Sequence, residues 1–424
     1  MGRYYHPIEF ISEKCDGRMK CMRVCPTHAI RVRGGKAVMN EELCVDCGEC
    51  IHACPNGAIR PITDTFTDPS AFKYRVALPS PVLYSQFKSD VDPRTIFQAI
   101  KLIGFDYVCD VSKACEEVRI VLDEFMASYK GRLPLISSFC PTVVRLLQVN
   151  YPDLTELVMP IDVPREIAAR RFKEKLSKEL GVEAREIGVI YLTPCPAKMV
   201  SIRQPAEKAR SDMDGAVSLR DIFRPLVAAI KDVKEGRGDP EVLKDFSFTA
   251  GWEMLGEMTK VMDSERSIAV SGLNDVIKIF DDIENSRLRD VDFVEASACM
   301  GGCIGGPLTV ENMYVARRNN LSLLGKYGGR SSVDAAEVIE KSRGGYYHLE
   351  HHLAPRPLRP LDPDRAVAIE KKKKKEAIFG TLPKIDCGCC GAPTCLDLAD
   401  DIVRGQAAIE DCIWIGGAAD GKRR

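Results

Sequence analysis

A chain of 424 residues has material for two to four domains and a large core. Its 61 acidic and 60 basic side chains nearly cancel, so net charge draws it neither to nucleic acid nor to a membrane surface. Nothing at Met1-Gly-Arg-Tyr-Tyr resembles a signal peptide and no apolar run is long enough to span a bilayer, so a cytoplasmic protein is expected.

The 18 cysteines are the anomaly. In a chain this long with no export signal they are expected as metal ligands rather than disulfides, and they fall in clusters. Residues 1–65 carry Cys15-x5-Cys21-x3-Cys25-Pro26 and Cys44-x2-Cys47-x2-Cys50-x3-Cys54-Pro55. The second run has the bacterial ferredoxin spacing, in which three close cysteines hold one cubane and the fourth serves its neighbour. Zinc also uses paired cysteines, but four at this spacing followed by proline favour iron–sulfur. On that pattern Cys44, Cys47, Cys50 and Cys25 hold one [4Fe–4S] cluster. Cys15, Cys21 and Cys54 are left for a second, with Arg18 where a fourth cysteine belongs. Arginine has no lone pair for a metal, so that site is expected as [3Fe–4S], as a cubane completed by Asp16 or water, or as empty. His28 and His52 stand where such runs carry ordinary filler, and both are read as structural.

From about Phe72 to Gly345 the pattern becomes α/β. Asp92-Pro93 opens a helix with Ile96, Ala99, Ile100 and Ile103 on one face and Gly104 as its stop. Val118, Val121, Leu122, Phe125 and Met126 mark a second helix, and Arg165 to Leu180 a third, with Ala168, Phe172, Leu176 and Leu180 on its buried side. Between them, Leu133–Ile136, Ile187–Leu192, Ile268–Ser271 and Val291–Val294 read as short buried strands. Three of the four lead to a cysteine: Cys140-Pro141, Cys195-Pro196 and Cys299. Ligands gather beyond the carboxyl ends of strands in open α/β sheets, so Cys140, Cys195, Cys299 and Cys303 are expected to converge at the rim of one sheet. Cys299 and Cys303, four apart, are expected on one face of a helical turn. Around them Gly301, Gly302, Gly305 and Gly306 allow close backbone approach and unusual dihedrals.

Residues 346–378 read as a linker followed by a basic helix. Pro355, Pro357 and Pro360 stiffen it, and Lys371–Lys375 form the exposed side of a helix beginning near Asp364. In the tail, residues 379–424, Cys387-x2-Cys390-x4-Cys395-x16-Cys412 supplies four thiolates, enough for another [4Fe–4S] cluster, with zinc as the competing occupant.

Together these residues resemble the [FeFe]-hydrogenases, specifically their catalytic large-subunit domain. Cys140-Pro141, Pro194-Cys195-x2-Lys198 and Cys299-x3-Cys303 look like that family's three signatures in order, and Gly104 to Asp110 looks like its segment after the first helix. The resemblance implies an α/β H-cluster domain over residues 72–345, preceded by an α+β two-cluster ferredoxin-like domain and followed by a small, mainly α iron–sulfur module. It implies that Cys140, Cys195, Cys299 and Cys303 hold the cubane of an H-cluster, with Cys303 bridging to a diiron subsite bearing CO and CN⁻, and that Lys198 hydrogen-bonds a cyanide. Three positions depart from the family. Phe139 replaces the proton-relay cysteine, Ser201 stands where a glutamate is frequent, and Ser297 replaces a methionine.

The implied function is reversible H2 activation at low turnover, in the family's sensory or ancillary branch, with electrons passing through [4Fe–4S] clusters. The competing expectation is an electron-transfer or structural subunit holding cubanes but no working diiron site. Expected partners are H2 and protons, a redox protein or other hydrogenase-complex subunits, and a hetero-oligomer or dimer; nucleic acid and membrane are not expected.

Overall fold

The computed structural model describes residues 4–65, 72–239, 250–260, 264–328, 333–356 and 360–415. The chain divides into two compact units, residues 1–61 with 356–424, and residues 62–355.

The terminal unit begins with β1 (Ile8–Phe10), α1 (Lys20–Arg23), β2 (Ile30–Arg33), β3 (Lys36–Met39), α2 (Glu49–Ala53) and β4 (Ile59–Pro61). β2 and β3 form a hairpin and β4 pairs antiparallel with β1. The two-residue turn of the hairpin is Gly34-Gly35, both at positive φ, the conformation that matches the twist of the flanking strands. Met22, Ile30, Val32, Ile51 and Ile59 fill a small core that also takes in Cys21 and Cys50. A core this small needs added staples, and the cysteines sit where such staples would be.

The central unit runs β5 (Tyr74–Pro79), α3 (Val82–Ser85), α4 (Pro93–Leu102), β6 (Tyr107–Val108), α5 (Ser112–Ser128), β7 (Leu135–Ile136), α6 (Pro141–Asn150), α7 (Pro164–Leu180), β8 (Ile187–Thr193), α8 (Pro196–Arg203), β9 (Gly215–Ser218), α9 (Leu219–Asp232), β10 (Ser267–Ser271), α10 (Leu273–Glu284), β11 (Phe293–Ser297), α11 (Met313–Tyr327) and α12 (Ala335–Arg343). Asp92 caps α4 by accepting from the Arg94 N–H, and Ile96, Ala99 and Ile100 of that helix are fully buried against Leu192, Val217, Ile222 and Leu226.

The strands form two parallel sheets rather than one. β6-β5-β8-β9 is four-stranded and β10-β11-β7 is three-stranded. This corrects the expectation of a single rim: β8, which leads to Cys195, belongs to the first sheet, and β7 and β11, which lead to Cys140 and Cys299, belong to the second. A second correction concerns β10. Among the described residues it is an edge strand paired with β11, and its residues are all partly or fully exposed.

The terminal unit is completed by residues 356–424. Pro357 of the expected connector lies outside the described residues. α13 (Arg365–Thr381) buries no residue, and two of its lysines are paired: Lys371 with Asp362 at 2.8 Å and Lys375 with Asp400 at 2.8 Å. Asp400 belongs to α14 (Cys395–Val403), which opens with a capping box between Thr394 and Asp397. No described helix is long and apolar enough to cross a membrane.

Candidate functional site

Two of the expected ligands in the central unit share one local grammar of strand, cysteine, proline and helix. Cys140 is the N-cap of α6 with Pro141 at its first position, and Cys195 is the N-cap of α8 with Pro196 there. Proline is tolerated at that position because its missing N–H would be unpaired anyway. Each thiol thus stands at the positive end of a helix, which favours negative charge. Thr193 fixes the Cys195 backbone, its Oγ1 accepting from the Cys195 N–H at 3.1 Å and donating to the Cys195 carbonyl at 2.9 Å.

Cys303 arrives differently. Cys299 and Cys303 do not share a helical turn: Gly301 and Gly302, at φ +74° and +92°, turn the chain between them, and Cys303 opens a short 3₁₀ turn. A Cβ on Gly306 would lie 2.6 Å from the Pro194 carbonyl oxygen, and the Leu308 N–H donates to that same oxygen at 2.9 Å. Glycine therefore lets the Cys303 turn lie directly on the Pro194-Cys195 segment.

Cys140 and Cys303 line a cavity of about 60 Å³ with Phe139, Lys198, Ser297, Tyr191, Arg165, Trp252 and Glu253. That is several times the space one water requires. Cys195 lies close enough to Cys140 and Cys303 for their charges to interact. Cys299 is buried two residues beyond β11 and is absent from the cavity lining. Burial pushes the Cys195 thiol up to about 11, with Cys140 adding to the effect. Burial likewise pushes Cys303 up to about 12, against the pull of Lys198. Such thiols become thiolates only when a cation compensates them, and a metal does so outright.

Lys198, 3% exposed, supplies the cavity's central charge. Its Nζ donates to Glu253 Oε1 at 2.6 Å and to the Tyr191 hydroxyl at 3.2 Å, and Tyr191 donates to the same carboxylate oxygen at 3.1 Å. Burial alone would lower its pKa, but Cys303 and Glu253 outweigh burial and hold it well above the ordinary lysine value. Burial would raise Glu253, yet Lys198 and hydrogen bonds from Ser80 and the Val82 N–H hold it low. The pair is charged from both sides.

Glu253 is a residue that sequence reasoning missed. Its segment pairs with the glycine turn: Met254 bridges Gly302, where a Cβ would lie 2.7 Å from the Glu253 carbonyl oxygen. Glu295 of β11 ties the same segment down by accepting from the N–H groups of Gly256, Met258 and Thr259 at 2.9 to 3.1 Å. Only the glycines beside Cys303 signalled that another backbone comes close there. Ser201 donates to the Lys198 carbonyl and receives Arg165 Nη2 at 3.2 Å. Phe139 meets Trp252 edge-on, ring centres 5.6 Å apart.

The donor set suits an anionic iron–sulfur group. Arg165 brings a second buried cation to the wall, and its Nε is a buried donor without a hydrogen-bond partner among the described residues. A buried donor of this kind marks a place for an acceptor.

In the terminal unit, backbone N–H groups already point at cysteine sulfurs. Ala29 donates to Cys25 Sγ at 3.2 Å, Ala58 to Cys54 Sγ at 3.2 Å and Ala37 to Cys15 Sγ at 3.4 Å. The first two contacts are the same motif twice, each four residues after the cysteine of a Cys-Pro pair, and such bonds tune cluster potentials. Cys47 and Cys50 feel the charge of Cys25, and burial first raises both thiols, along with Cys44. Burial also raises Cys21, to about 11, with Cys15 and Cys54 adding. Cys15, Cys21 and Cys54 line a second cavity with Asp16 and Arg18, whose side chains pair at 2.5 Å. A hydrogen bond from Asn56 first, and Arg18 with it, hold the Asp16 carboxyl below its usual value. Sequence reasoning also missed His6. Its Nδ1 lies 2.9 Å from buried Asp46, and the two cluster with Cys44 within 4.8 Å. In the tail, Cys390, Cys395 and Cys412 join one apolar cluster with Leu382, Leu398 and Ala399. Cys387 lies near Cys390, and Cys389 is exposed.

The profile of the iron-only hydrogenase large subunit, C-terminal domain, matches residues 73–242 and 239–307, more than half of the chain. The chain belongs to that family. A 4Fe–4S dicluster domain matches residues 14–58 of this hydrogenase-like protein, and a putative Fe–S cluster domain matches residues 382–413. Among curated relatives, the NADP-reducing hydrogenase subunit HndD of Solidesulfovibrio fructosivorans is 23% identical over 69% of this chain and 62% of its own length. Iron hydrogenase 1 of Clostridium pasteurianum is 22% identical over 50% of this chain and 44% of its own. The chain thus spans less than two thirds of either relative. Among solved structures, a variant of [FeFe]-hydrogenase HydA1 from Chlamydomonas reinhardtii aligns over 69% of this chain and 97% of its own, at 15% identity and a TM-score of 0.49. The hydrogenase-like protein is accordingly an iron–sulfur member of an oxidoreductase family, with an α/β hydrogenase domain and an N-terminal ferredoxin-like segment.

Proposed function

We propose that the cavity holds an H-cluster, with its [4Fe–4S] cubane on Cys140, Cys195, Cys299 and Cys303 and a diiron subsite bearing CO and CN⁻ beside Lys198. The protein then activates H2 reversibly and slowly, in a sensory or ancillary role. The observation that carries this reading is that Cys140 and Cys303, with Cys195 close to both, meet at one cavity walled by the buried cations Lys198 and Arg165. When bound, the group supplies the H2 chemistry and its own bridgehead base.

The chain's residues do the rest. The thiolates fix the group in place, and Lys198 Nζ and Arg165 Nε offer charge-assisted hydrogen bonds to its anionic ligands. Phe139 and Trp252 present apolar rings that exclude water, and Phe139 carries no proton. Cys25, Cys44, Cys47 and Cys50 would hold one [4Fe–4S] cluster and Cys387, Cys390, Cys395 and Cys412 another, and these would supply the route for electrons. The site on Cys15, Cys21 and Cys54, with Arg18 at the missing ligand, would take a [3Fe–4S] cluster or a cubane completed by Asp16 or water, or stand empty. One relative is named as a hydrogenase subunit, and a component of the ion-translocating oxidoreductase complex of Methanosarcina acetivorans is 44% identical over 45 residues. A redox partner protein or further subunits fit those names.

An infrared spectrum of protein produced with the family's maturation enzymes tests the reading. Iron-bound CO and CN⁻ bands are the expected result. A second reading draws on the Lys198–Glu253 bond, which neutralises the ammonium without any cyanide. It makes the protein an electron-transfer subunit with cubanes only, and a spectrum without those bands would select it. In protein that shows the bands, Phe139→Cys is expected to raise H2 turnover toward the ~100-fold that a positioned proton carrier typically contributes. A fully loaded variant with unchanged turnover would show that proton transfer at residue 139 does not limit the rate.

A further inference from the structure

The tail and the ferredoxin-like segment lie far apart in sequence, yet one compact unit contains both. Their contact runs along β2. The Val32 N–H donates to the Gly391 carbonyl at 2.8 Å, and Arg33 Nη1 donates to the Cys390 carbonyl at 2.8 Å. Arg31 and Arg33 both bind the carboxylate of Asp401 on α14, at 2.7 and 2.5 Å, and that residue is 3% exposed. His28 Nδ1 lies 2.9 Å from Asp397. The approach is as close as backbone allows, since a Cβ on Gly391 would lie 1.9 Å from the Val32 carbonyl oxygen.

These contacts involve the immediate neighbours of expected ligands on both sides. Met22 follows Cys21, Gly388 follows Cys387, and the Met22 methyl would lie 2.9 Å from a Cβ on Gly388. Gly391 follows Cys390, and Asp397 lies two residues beyond Cys395. The side chains that fix the contact are buried or half-buried and paired by charge, and removing one member of such a set is costly. That is a built junction rather than a loose tether.

We propose that β2 and Met22 form an internal electron bridge between the tail iron–sulfur site and the ferredoxin-like sites, so that the terminal unit works as one conduit. This rests on reading the three cysteine sets as cluster ligands. The step is a single electron passing from a reduced centre to an oxidised one, with no bond made or broken and no proton moved. Electron tunnelling falls steeply with distance, so a junction that brings ligand-bearing loops into contact favours that route over a path through solvent.

The test uses the full chain, loaded with iron and sulfide, reduced by dithionite and read by electron paramagnetic resonance alongside iron content. The expected spectrum contains lines split or broadened by coupling between the tail centre and a ferredoxin-like centre. Cys395→Ser, which removes the tail centre, is expected to sharpen the remaining lines. Gly391→Val, which pries the tail from β2, is expected to sharpen them with iron content unchanged. If Gly391→Val does not fold, Arg31→Gln/Arg33→Gln loosens the same junction from the side-chain side. Full iron content with a spectrum that is the plain sum of separate centres, unaltered in these variants, would overturn the bridge alone. A chain that binds iron at residues 15–54 but none at the tail would overturn both the bridge and the tail ligand set.

Discussion

In the terminal unit, Cys44, Cys47 and Cys50 come from one stretch of seven residues, whereas Cys140, Cys195 and Cys303 of the cavity come from the ends of elements in two sheets. The short run can be drawn around an iron–sulfur group by local turns alone. The cavity has to be built by the whole central unit, through the register of parallel strands, two helix caps and a glycine turn that accepts a neighbouring backbone. The first kind of site depends on spacing and tolerates a thin core. The second depends on a thick one, and residues such as Val76, Leu78, Val189 and Phe293 are accordingly inaccessible to solvent. The charges differ as well. Lys198 and Glu253 form a direct ion pair in the cavity wall, while in the terminal unit two arginines share Asp401.

If the cavity is held by the fold, its charge pair is part of the fold's stability. Lys198→Met leaves Glu253 enclosed without its cation and is expected to cost ~3–5 kcal/mol in urea unfolding of the iron-free chain. Lys198→Met/Glu253→Gln is expected to cost less than the sum of its two single changes, because neither charge is stranded. Equal, additive and small losses would mean that the pair is as loose as a surface ion pair, and the contrast with the terminal unit would then rest on topology alone.

A smaller effect is expected behind the cavity wall. Burial pushes the carboxyl of Asp110 up to about 6, while the Ser112 N–H, 3.0 Å away, pulls it down. The folded chain therefore binds a proton more tightly than the unfolded one. Stability tied to this group is fully present below the unfolded value of 3.8 and is lost as pH rises through about 6. Asp110→Asn is expected to stabilise the chain at pH 7 by on the order of 1–2 kcal/mol, discounted for partial solvent access, and to do little near pH 4. Unfolding curves for both proteins at the two pH values measure this directly, and an equal gain at both would refute it.

The same comparison explains what could be read from residues alone. Spacing is local, so the cysteine runs, the Asp92-Pro93 helix start and the strands leading to Cys140, Cys195 and Cys299 were all legible. Which strands pair with which is not local: β5 lies between β6 and β8, while β7, which comes before β8 in the chain, joins the other sheet, and nothing in Ile187–Thr193 says that its sheet differs from that of Phe293–Ser297. Glu253 was illegible for a related reason. It sits in an irregular segment without periodicity and is brought to Lys198 by long-range contacts, among them the bridge at Gly302 and hydrogen bonds from Ser80 and Tyr191. His6 and Asp46 meet across 40 positions, with no repeat or motif to connect them.

The glycines at positions 302 and 306 leave no room for a side chain against Glu253 and Pro194. Packing within the chain thus seats Cys303, and a single methyl group added at either glycine is enough to push that thiol away from the wall it shares with Lys198.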